Sequence, residues 1–385
     1  MSEALGRTRP LMVGFLLFII FQIPVGVATN LETIFLGRFL EGAFGSAPLA
    51  IVAGTLVDIF DTIPRGVATM AYMAGIFAGP AMGNIVGEYT VQNPALGWRW
   101  TAWFTMIIAA VGFVPAVFTV PETHNPTLLR RRAARQRLET KNWALHSKME
   151  EEPIQLKSLA VKYGLKPIRM VIHEPILFIM TLYVSLVYGI LYLTFVAYPF
   201  SFEVVRRIEP GPASLPFLAI FIGVVLGAAG MAWEMRAIFA PKLAKAKIPI
   251  PEQRLPVTIV GSFILPIGLF WFAWTSSASI NPWPQIVSGV FIGTGIVLIF
   301  FSTIIYLVDV YLFDANSALA VNSLFRSAVS AAFPLFGAIM YERLGVPWAT
   351  SIVAFACVAL IPAPILFYIY GKRIRSWSKY AYYFG

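Results

Sequence analysis

The sequence has little charge and few of the side chains that hold metals or disulfides. Only 12% of its 385 residues are charged, about half of the roughly 25% usual in soluble domains. The one cysteine, Cys357, excludes an internal disulfide framework, and the three histidines stand apart without zinc spacing. We therefore expect no metal and no cofactor. His, Cys and carboxylate residues do not cluster at one membrane depth, so an intramembrane enzyme is not expected.

The residues that are abundant are apolar. Hydrophobic residues make up 58% of the chain, and the mean hydropathy is +0.75. A bilayer can accommodate so much apolar surface, whereas a soluble core cannot. A spanning helix needs about 20 mainly apolar residues, and ten runs have this character: 11–28, 33–57, 67–87, 99–119, 175–200, 213–233, 256–275, 285–308, 318–340 and 347–370. The sequence predicts an all-α polytopic membrane protein.

The first run, with Arg7 and Arg9 before it, also has features of a signal peptide. It is longer than a typical apolar signal region and further runs follow it. We therefore interpret it as a spanning helix.

Positive charge predicts the orientation of these spans. Of the 29 Lys and Arg residues, twenty-three fall on the side of the N-terminus, three on the opposite side and three within or at the ends of spans. Cytoplasmic loops of membrane proteins are enriched in Lys and Arg. Both termini are therefore predicted to be cytoplasmic, and the net charge of +10 needs no nucleic-acid partner to explain it.

One long connection divides the chain into four spans and six spans. We predict an incomplete N-terminal bundle over 1–119, a basic cytoplasmic linker over 120–174, a six-helix C-terminal bundle over 175–371 and a cytoplasmic tail over 372–385. Transporters are often built from internal repeats. The pattern of four plus six looks like two six-helix halves without the first two helices.

Arg38 and Glu41 carry charge into the second predicted span. Charge inside a membrane is costly, at about 2.5–3.5 kcal/mol on insertion scales. The spacing of three residues allows both side chains to share one helix face. We interpret the pair as part of a substrate or proton pathway. The alternative is an arginine that reaches back to the outer interface.

The third predicted span carries a stripe of small residues. Gly75, Gly79 and Gly83 repeat every four residues, and Pro80 follows the second of them. Such a stripe allows another helix to pack closely, and the proline removes a backbone donor and bends the helix.

Opposite charges meet on the predicted cytoplasmic side. Glu3, Gly6 and Arg7 precede the first span, while Asp58 and Arg65 follow the second. They could form a latch that closes the cytoplasmic side, or they could be ordinary exposed loop charges.

Aromatic and polar residues occur within the second half. Tyr188 and Tyr192, four residues apart in the fifth span, form one patch that suits an aromatic substrate or a cation, although plain helix packing explains them equally well. Further polar groups lie near the cytoplasmic ends of spans eight and nine: Tyr306, Asp309, Asn322 and Arg326.

Together these motifs resemble the major facilitator superfamily, and specifically the fungal drug:proton antiporters with twelve helices. Arg38 to Gly42 is similar to the arginine motif of the family's fourth helix, and Gly75 to Gly83 is similar to the antiporter motif of its fifth helix. Residues 121–123, 188–192, 306–309 and 317–320 resemble its central loop and second half. Residues 2–7 resemble the loop between family helices two and three, so the resemblance implies that the first two helices are missing.

The resemblance implies proton-coupled efflux of small hydrophobic or cationic compounds by alternating access. A drug, a polyamine or a secondary metabolite would fit. Arg38 would hold or relay charge, Pro80 would let its helix bend, and Glu3, Arg7 and Asp58 would form the latch. The expected partners are a small-molecule substrate, protons and the lipid bilayer, for a monomer in the plasma membrane. The alternatives are a truncated product that does not transport, and a uniporter or importer of the same superfamily.

Overall fold

The fold is taken from a computed structural model that describes residues 6–147, 150, 166–246, 250–376 and 378–380. Glu3, part of the predicted linker and the last five residues of the predicted tail lie outside the described residues. Within the described ranges the regular structure is helical.

In the described part of the chain, five helices precede the predicted linker region or lie in its first part. They are α1 (Thr8–Gly26), α2 (Leu31–Ile59), α3 (Thr62–Gln92), α4 (Arg99–Thr119) and α5 (Asn125–Thr140). Asn30 begins α2, since its side-chain oxygen accepts a hydrogen bond of 2.9 Å from the backbone N–H of Thr33 and so satisfies one of the donors left free in a first helical turn.

Among the described residues of the second half there are nine helices. They are α6 (Lys166–His173), α7 (Pro175–Pro199), α8 (Pro210–Ser214), α9 (Phe217–Glu234), α10 (Ala240–Ala246), α11 (Leu255–Trp274), α12 (Pro282–Val310), α13 (Ala315–Leu360) and α14 (Pro362–Arg375). Wider π-type turns extend α7 over Phe200–Val205 and α9 over Met235–Phe239. Tight 3-10 turns over Pro251–Arg254 and Leu312–Asp314 lead into α11 and α13.

The helices occupy all ten predicted spans. Among the described residues, eight helical stretches are long and apolar enough to cross a membrane. The longest, Ala315–Arg375, has 61 residues and covers two predicted spans, because Gly345 breaks the helix with a φ of +70°. The 31-residue α3 is not among the eight, since its glycines, proline and tyrosines lower its hydropathy. The prediction of an all-α membrane fold is confirmed.

Contacts divide the chain into two compact units. The first contains residues 1–69 and 89–155, and the second contains residues 70–88 and 156–385. The middle of α3 therefore groups with the second half. The domain boundaries derived from the loops remain predictions.

In the first unit, α1 packs against both α2 and α4. Small residues permit the contact with α2: a side chain added at Gly37 would come within 2.6 Å of Val25. Phe15 and Phe113 join α1 to α4 edge to face, with ring centroids 5.5 Å apart. The guanidinium of Arg99 donates to the carbonyl of Ala28 at 2.8 Å. These contacts fix the middle and the C-terminal end of α1.

In the second unit, glycines let α12 approach its neighbours closely. Gly293 faces the backbone of Ile220 on α9, and a side chain added at Gly295 would lie 2.8 Å from the backbone of Leu265 on α11. Close helix packing through small residues replaces the hydrophobic driving force that membranes lack. The result is a well-packed bundle whose largest buried side chains include Tyr183 and Tyr198.

Candidate functional site

A cluster around Arg7 ties the start of α1 to the end of α2 and to the segment after α4. The Nε of Arg7 lies 3.1 Å from Oδ2 of Asp58, and the hydroxyl of Thr123 donates to the same oxygen at 3.3 Å. Gly6 has a φ of +90°, and a side chain there would overlap the carboxylate of Glu122. The structure therefore brings together Gly6, Arg7 and Asp58 of the predicted latch; we call these residues, with Glu122 and Thr123, the Arg7 cluster.

Glu122 caps the first turn of α1 from a distant part of the chain. Its Oε1 accepts from the backbone N–H groups of Arg7 at 2.8 Å and His124 at 3.1 Å, and its Oε2 accepts from that of Thr8 at 3.3 Å. Negative charge at a helix N-terminus is also favoured by the helix dipole. Burial alone would raise the pKa of Glu122, but these backbone donors outweigh it and hold the pKa below its usual value.

Arg65 does not join this cluster. Its Nε donates to the backbone carbonyl of Phe60 at 3.1 Å, within its own turn. The described residues show no ion pair between Arg65 and Asp58, and a role for Arg65 in the latch stays a prediction. Glu3, the other predicted member, lies outside the described residues.

Arg38 and Glu41 form the predicted pair on α2. Nη1 of Arg38 lies 3.0 Å from Oε2 of Glu41, at a point about 10 Å along α2 from its first residue. The two side chains differ in exposure, which is 49% for Arg38 and 5% for Glu41. Oε1 of Glu41 is buried and has no hydrogen-bond partner among the described residues. One carboxylate oxygen thus pairs with Arg38, and the other is left without a hydrogen-bond donor among the described residues.

The glycine stripe of α3 has no close neighbour within the second unit. Side chains added at Gly75, Gly79 or Gly83 would meet no heavy atom within 4 Å, and all three glycines are exposed. Another face of α3 is packed within this unit, where Phe77 is buried in the core and Ile76 lies against it. Close packing on the glycine face stays a prediction, because the spacing of glycines shows that they share a face but not which helix packs there.

Pro80 lies in the middle of α3, and the helix continues through it. The side-chain amide of Asn84 donates to the carbonyl of Pro80 at 2.8 Å. This bond gives the turn after the proline a side-chain link in addition to its backbone bonds. A bending role for Pro80 stays a prediction.

Tyr188 and Tyr192 on α7 are neighbours, as predicted, with ring centroids 5.2 Å apart. They belong to a larger aromatic group in the second unit. The guanidinium carbon of Arg326 on α13 lies 4.7 Å from the ring centroid of Tyr188 and 4.9 Å from that of Phe300 on α12. The Nη2 of Arg326 donates to the hydroxyl of Ser323 at 3.0 Å. We call these five residues the Arg326 cluster.

Arg326 has no acidic partner among the described residues. The Ser323 bond uses one of the five N–H groups of the guanidinium, and its Nε is buried without a partner. Arg326 lies about 16 Å along α13 from Ala315. A cation at the centre of a spanning helix costs about 2.5–3.5 kcal/mol on insertion scales. The position of Arg326 near the cytoplasmic end of its span stays a prediction.

Asn322 lies one turn before Arg326 and is buried. Its side-chain amide donates to the hydroxyl of Thr181 on α7 at 3.2 Å. This bond ties α7 to α13 next to the Arg326 cluster.

Asp309 lies at the C-terminal end of α12, in a cluster that the sequence did not predict. Nε of Arg254 lies 3.1 Å from Oδ2 of Asp309, and the Arg254 guanidinium stacks 3.4 Å from the ring centroid of Phe239. Tyr306, one turn before Asp309, is fully buried and its hydroxyl has no partner among the described residues. The structure does not bring Tyr306 and Asp309 to the Arg326 cluster.

A second ion pair lies at the same end of this unit. The guanidinium of Arg375 holds both carboxylate oxygens of Glu252 at 2.9 and 3.0 Å. The sequence predicted a cytoplasmic position for Arg254 and Arg375 from their positive charge, but it predicted no ion pair for either. Elsewhere, no three His, Cys, Asp or Glu side chains among the described residues are arranged to hold a metal ion.

Comparisons with known proteins identify the family of the chain. A family model described as Major Facilitator Superfamily matches residues 1–334. The citrinin biosynthesis cluster MFS transporter of Monascus ruber is 50% identical over 382 residues, covering 99% of this chain and 76% of the relative. The ascochitine biosynthesis cluster MFS transporter of Didymella fabae is 50% identical, covering 99% and 74%. The cercosporin MFS transporter of Cercospora nicotianae is 45% identical, covering 98% and 73%.

A solved structure supports the fold independently. The crystal structure of the human organic anion transporter TETRAN matches 94% of this chain and 78% of its own, with a TM-score of 0.61 and 12% identity. At that identity the likeness speaks for the fold alone. Family model, relatives and fold agree, and the chain belongs to the Major Facilitator Superfamily of multi-pass membrane transporters.

Proposed function

We propose that this transporter exports small hydrophobic secondary metabolites in exchange for protons, by alternating access. We place it in the plasma membrane as a monomer with both termini in the cytoplasm. The names of the relatives support the substrate class, since three of those at 48–50% identity are named for citrinin or ascochitine biosynthesis clusters.

The Arg38–Glu41 pair carries the proposal of proton coupling. Glu41 is a carboxylate on an apolar helix, with one oxygen bound to Arg38 at 3.0 Å and the other buried without a partner. Ionisable groups inside membranes are costly and mark ion or proton pathways. A proton that binds Oε1 removes the negative charge and weakens the hold on Arg38. Loss of that proton restores the pair, so the pair has two arrangements that a proton gradient can select.

Transport by reconstituted liposomes tests this proposal, with citrinin as the probe because two relatives carry its name. Liposomes with an acidic interior should accumulate citrinin above the level of protein-free liposomes, while protons leave. Glu41→Gln should remove this accumulation. It should leave the exchange of labelled for unlabelled citrinin without a gradient intact, because exchange needs no net proton release.

Glu32→Gln is the matched control, since Glu32 is an exposed carboxylate in the first turn of the same helix. It should behave as the wild type. Accumulation by Glu41→Gln equal to that of the wild type would remove the assigned role of this carboxylate. Citrinin that equilibrates without proton movement would favour a uniporter, and no movement at all would favour a product that does not transport citrinin.

A further inference from the structure

The Arg326 cluster lies at one depth in the second unit and draws on three helices. Tyr188 lies about 20 Å from the start of α7, Arg326 about 16 Å from the start of α13, and Phe300 about 15 Å from the end of α12. These three helix ends are on the predicted cytoplasmic side. On the predicted topology the cluster therefore lies about 15–20 Å from the cytoplasmic ends of these helices, and solute transporters place their substrate sites near the membrane midplane.

The surroundings of Arg326 are aromatic as well as apolar. Besides Tyr188 and Phe300, the ring of Phe77 lies 5.9 Å from Tyr188 and 4.9 Å from Phe300 between centroids. Tyr192 extends the same surface from Tyr188. Aromatic rings prefer offset or edge contacts with other rings, so the group presents several such contacts to an aromatic molecule.

No acidic side chain among the described residues balances the charge of the cluster. The described residues offer Arg326 one neutral acceptor, Ser323, while its guanidinium carbon lies over the rings of Tyr188 and Phe300. The other N–H groups of the guanidinium remain as the polar part of the cluster. A planar guanidinium binds a carboxylate through two parallel hydrogen bonds, whereas a cationic compound would meet a like charge.

We propose that the Arg326 cluster binds an anionic aromatic compound, with its acidic group on the N–H edge of Arg326 and its ring against Tyr188 and Phe300. This inference rests on the proposed export function and specifies its substrate. It replaces the sequence expectation of hydrophobic or cationic compounds with an acidic aromatic class.

Binding of matched probes tests the charge requirement without any substitution. The purified full chain should bind 2-naphthoate at least about tenfold more tightly than 2-naphthamide, which has the same ring system and no charge. Equal binding of the two probes, or binding of neither, would overturn the inference. Displacement of naphthoate by excess chloride, without gluconate having the same effect, would show a simple anion site and would also overturn it.

Substitutions locate the site. Arg326→Gln should bring the two probes to within about twofold of each other, while Arg326→Lys should keep part of the preference, because lysine retains the charge but loses the planar fork. Arg343→Gln is the control, since Arg343 is an exposed arginine on the same helix, and it should leave the preference unchanged. A preference that survives Arg326→Gln in a monodisperse protein would contradict the assignment.

The two proposals fail in different ways. If binding shows a charge preference that depends on Arg326 but citrinin transport is not driven by protons, the proposed function is contradicted and the binding site is supported. If transport is driven by protons but naphthoate and naphthamide bind equally, the binding site is contradicted and the proposed function is supported.

Discussion

Replacing Glu122 with glutamine measures how strongly the Arg7 cluster holds the start of α1. Glutamine has nearly the same shape and keeps one carbonyl oxygen, which can still accept from the backbone N–H of Arg7. It loses the second acceptor oxygen, so the N–H of Thr8, now bonded at 3.3 Å, faces an amide group. The substitution therefore removes one charge-assisted bond and the favourable charge at the end of α1.

The magnitude follows from the bond that is lost. Hydrogen bonds to charged groups contribute about 1.5–3 kcal/mol, and helix caps contribute about 0.5–2 kcal/mol. Glu122 is only partly buried and its bond to Thr8 is long, so we expect a loss near about 1.5 kcal/mol. The unfolding midpoint should fall by about 2–4 °C. Tryptophan fluorescence can follow this, since Trp103 packs against Gly26 at the end of α1.

The effect of Glu122 should depend on pH in a defined direction. The pKa of Glu122 is lower in the folded protein than in the unfolded chain, where it is about 4.5. Its contribution to stability is therefore present above pH 4.5 and is lost as the pH falls through the folded-state pKa. The difference in unfolding midpoint between the wild type and Glu122→Gln should therefore be largest near neutral pH and should shrink in acid.

The control for this experiment is Glu139→Gln. Glu139 pairs with Arg135 at 2.8 Å on the exposed surface of α5, and exposed pairs contribute about 0–1 kcal/mol. Its midpoint should stay within about 1 °C of the wild type. Equal midpoints for the wild type and Glu122→Gln near neutral pH would refute the capping role, and a difference that persists unchanged in acid would refute its electrostatic basis.

The sequence was sufficient to predict the spans, because apolar runs of the right length have few alternatives in a chain with so little charge. It also predicted contacts within one helix, such as Arg38 with Glu41 and Tyr188 with Tyr192. These depend only on helical spacing, which a sequence shows directly.

The contacts between distant segments could not be obtained in the same way. Glu122 meets Arg7 across 115 positions, and nothing in the local pattern distinguishes it from an exposed acid at the end of a span. Arg326 meets Phe300 and Tyr188 only because three helices place them at one depth. Sequence spacing gives the depth of each residue approximately but gives no information about which helix faces meet.

Two further predictions test the orientation of the chain and of α3. Cysteine at Asn142 should resist an impermeant thiol reagent in intact cells while cysteine at Ser279 reacts, because the predicted topology puts them on opposite sides and the native Cys357 is buried; labelling at Asn142 without permeabilisation would contradict it. Gly79→Leu should leave the unfolding midpoint unchanged or raise it, since the added side chain meets open space and leucine favours helix over glycine by up to about 1 kcal/mol. Ala81→Leu should lower the midpoint in the same unfolding assay, because Ala81 is 1% exposed and overpacking costs about 1–3 kcal/mol. If Gly79→Leu instead lowered the midpoint more than Ala81→Leu, the result would indicate that the glycine face of α3 packs closely against another helix, as the sequence predicts.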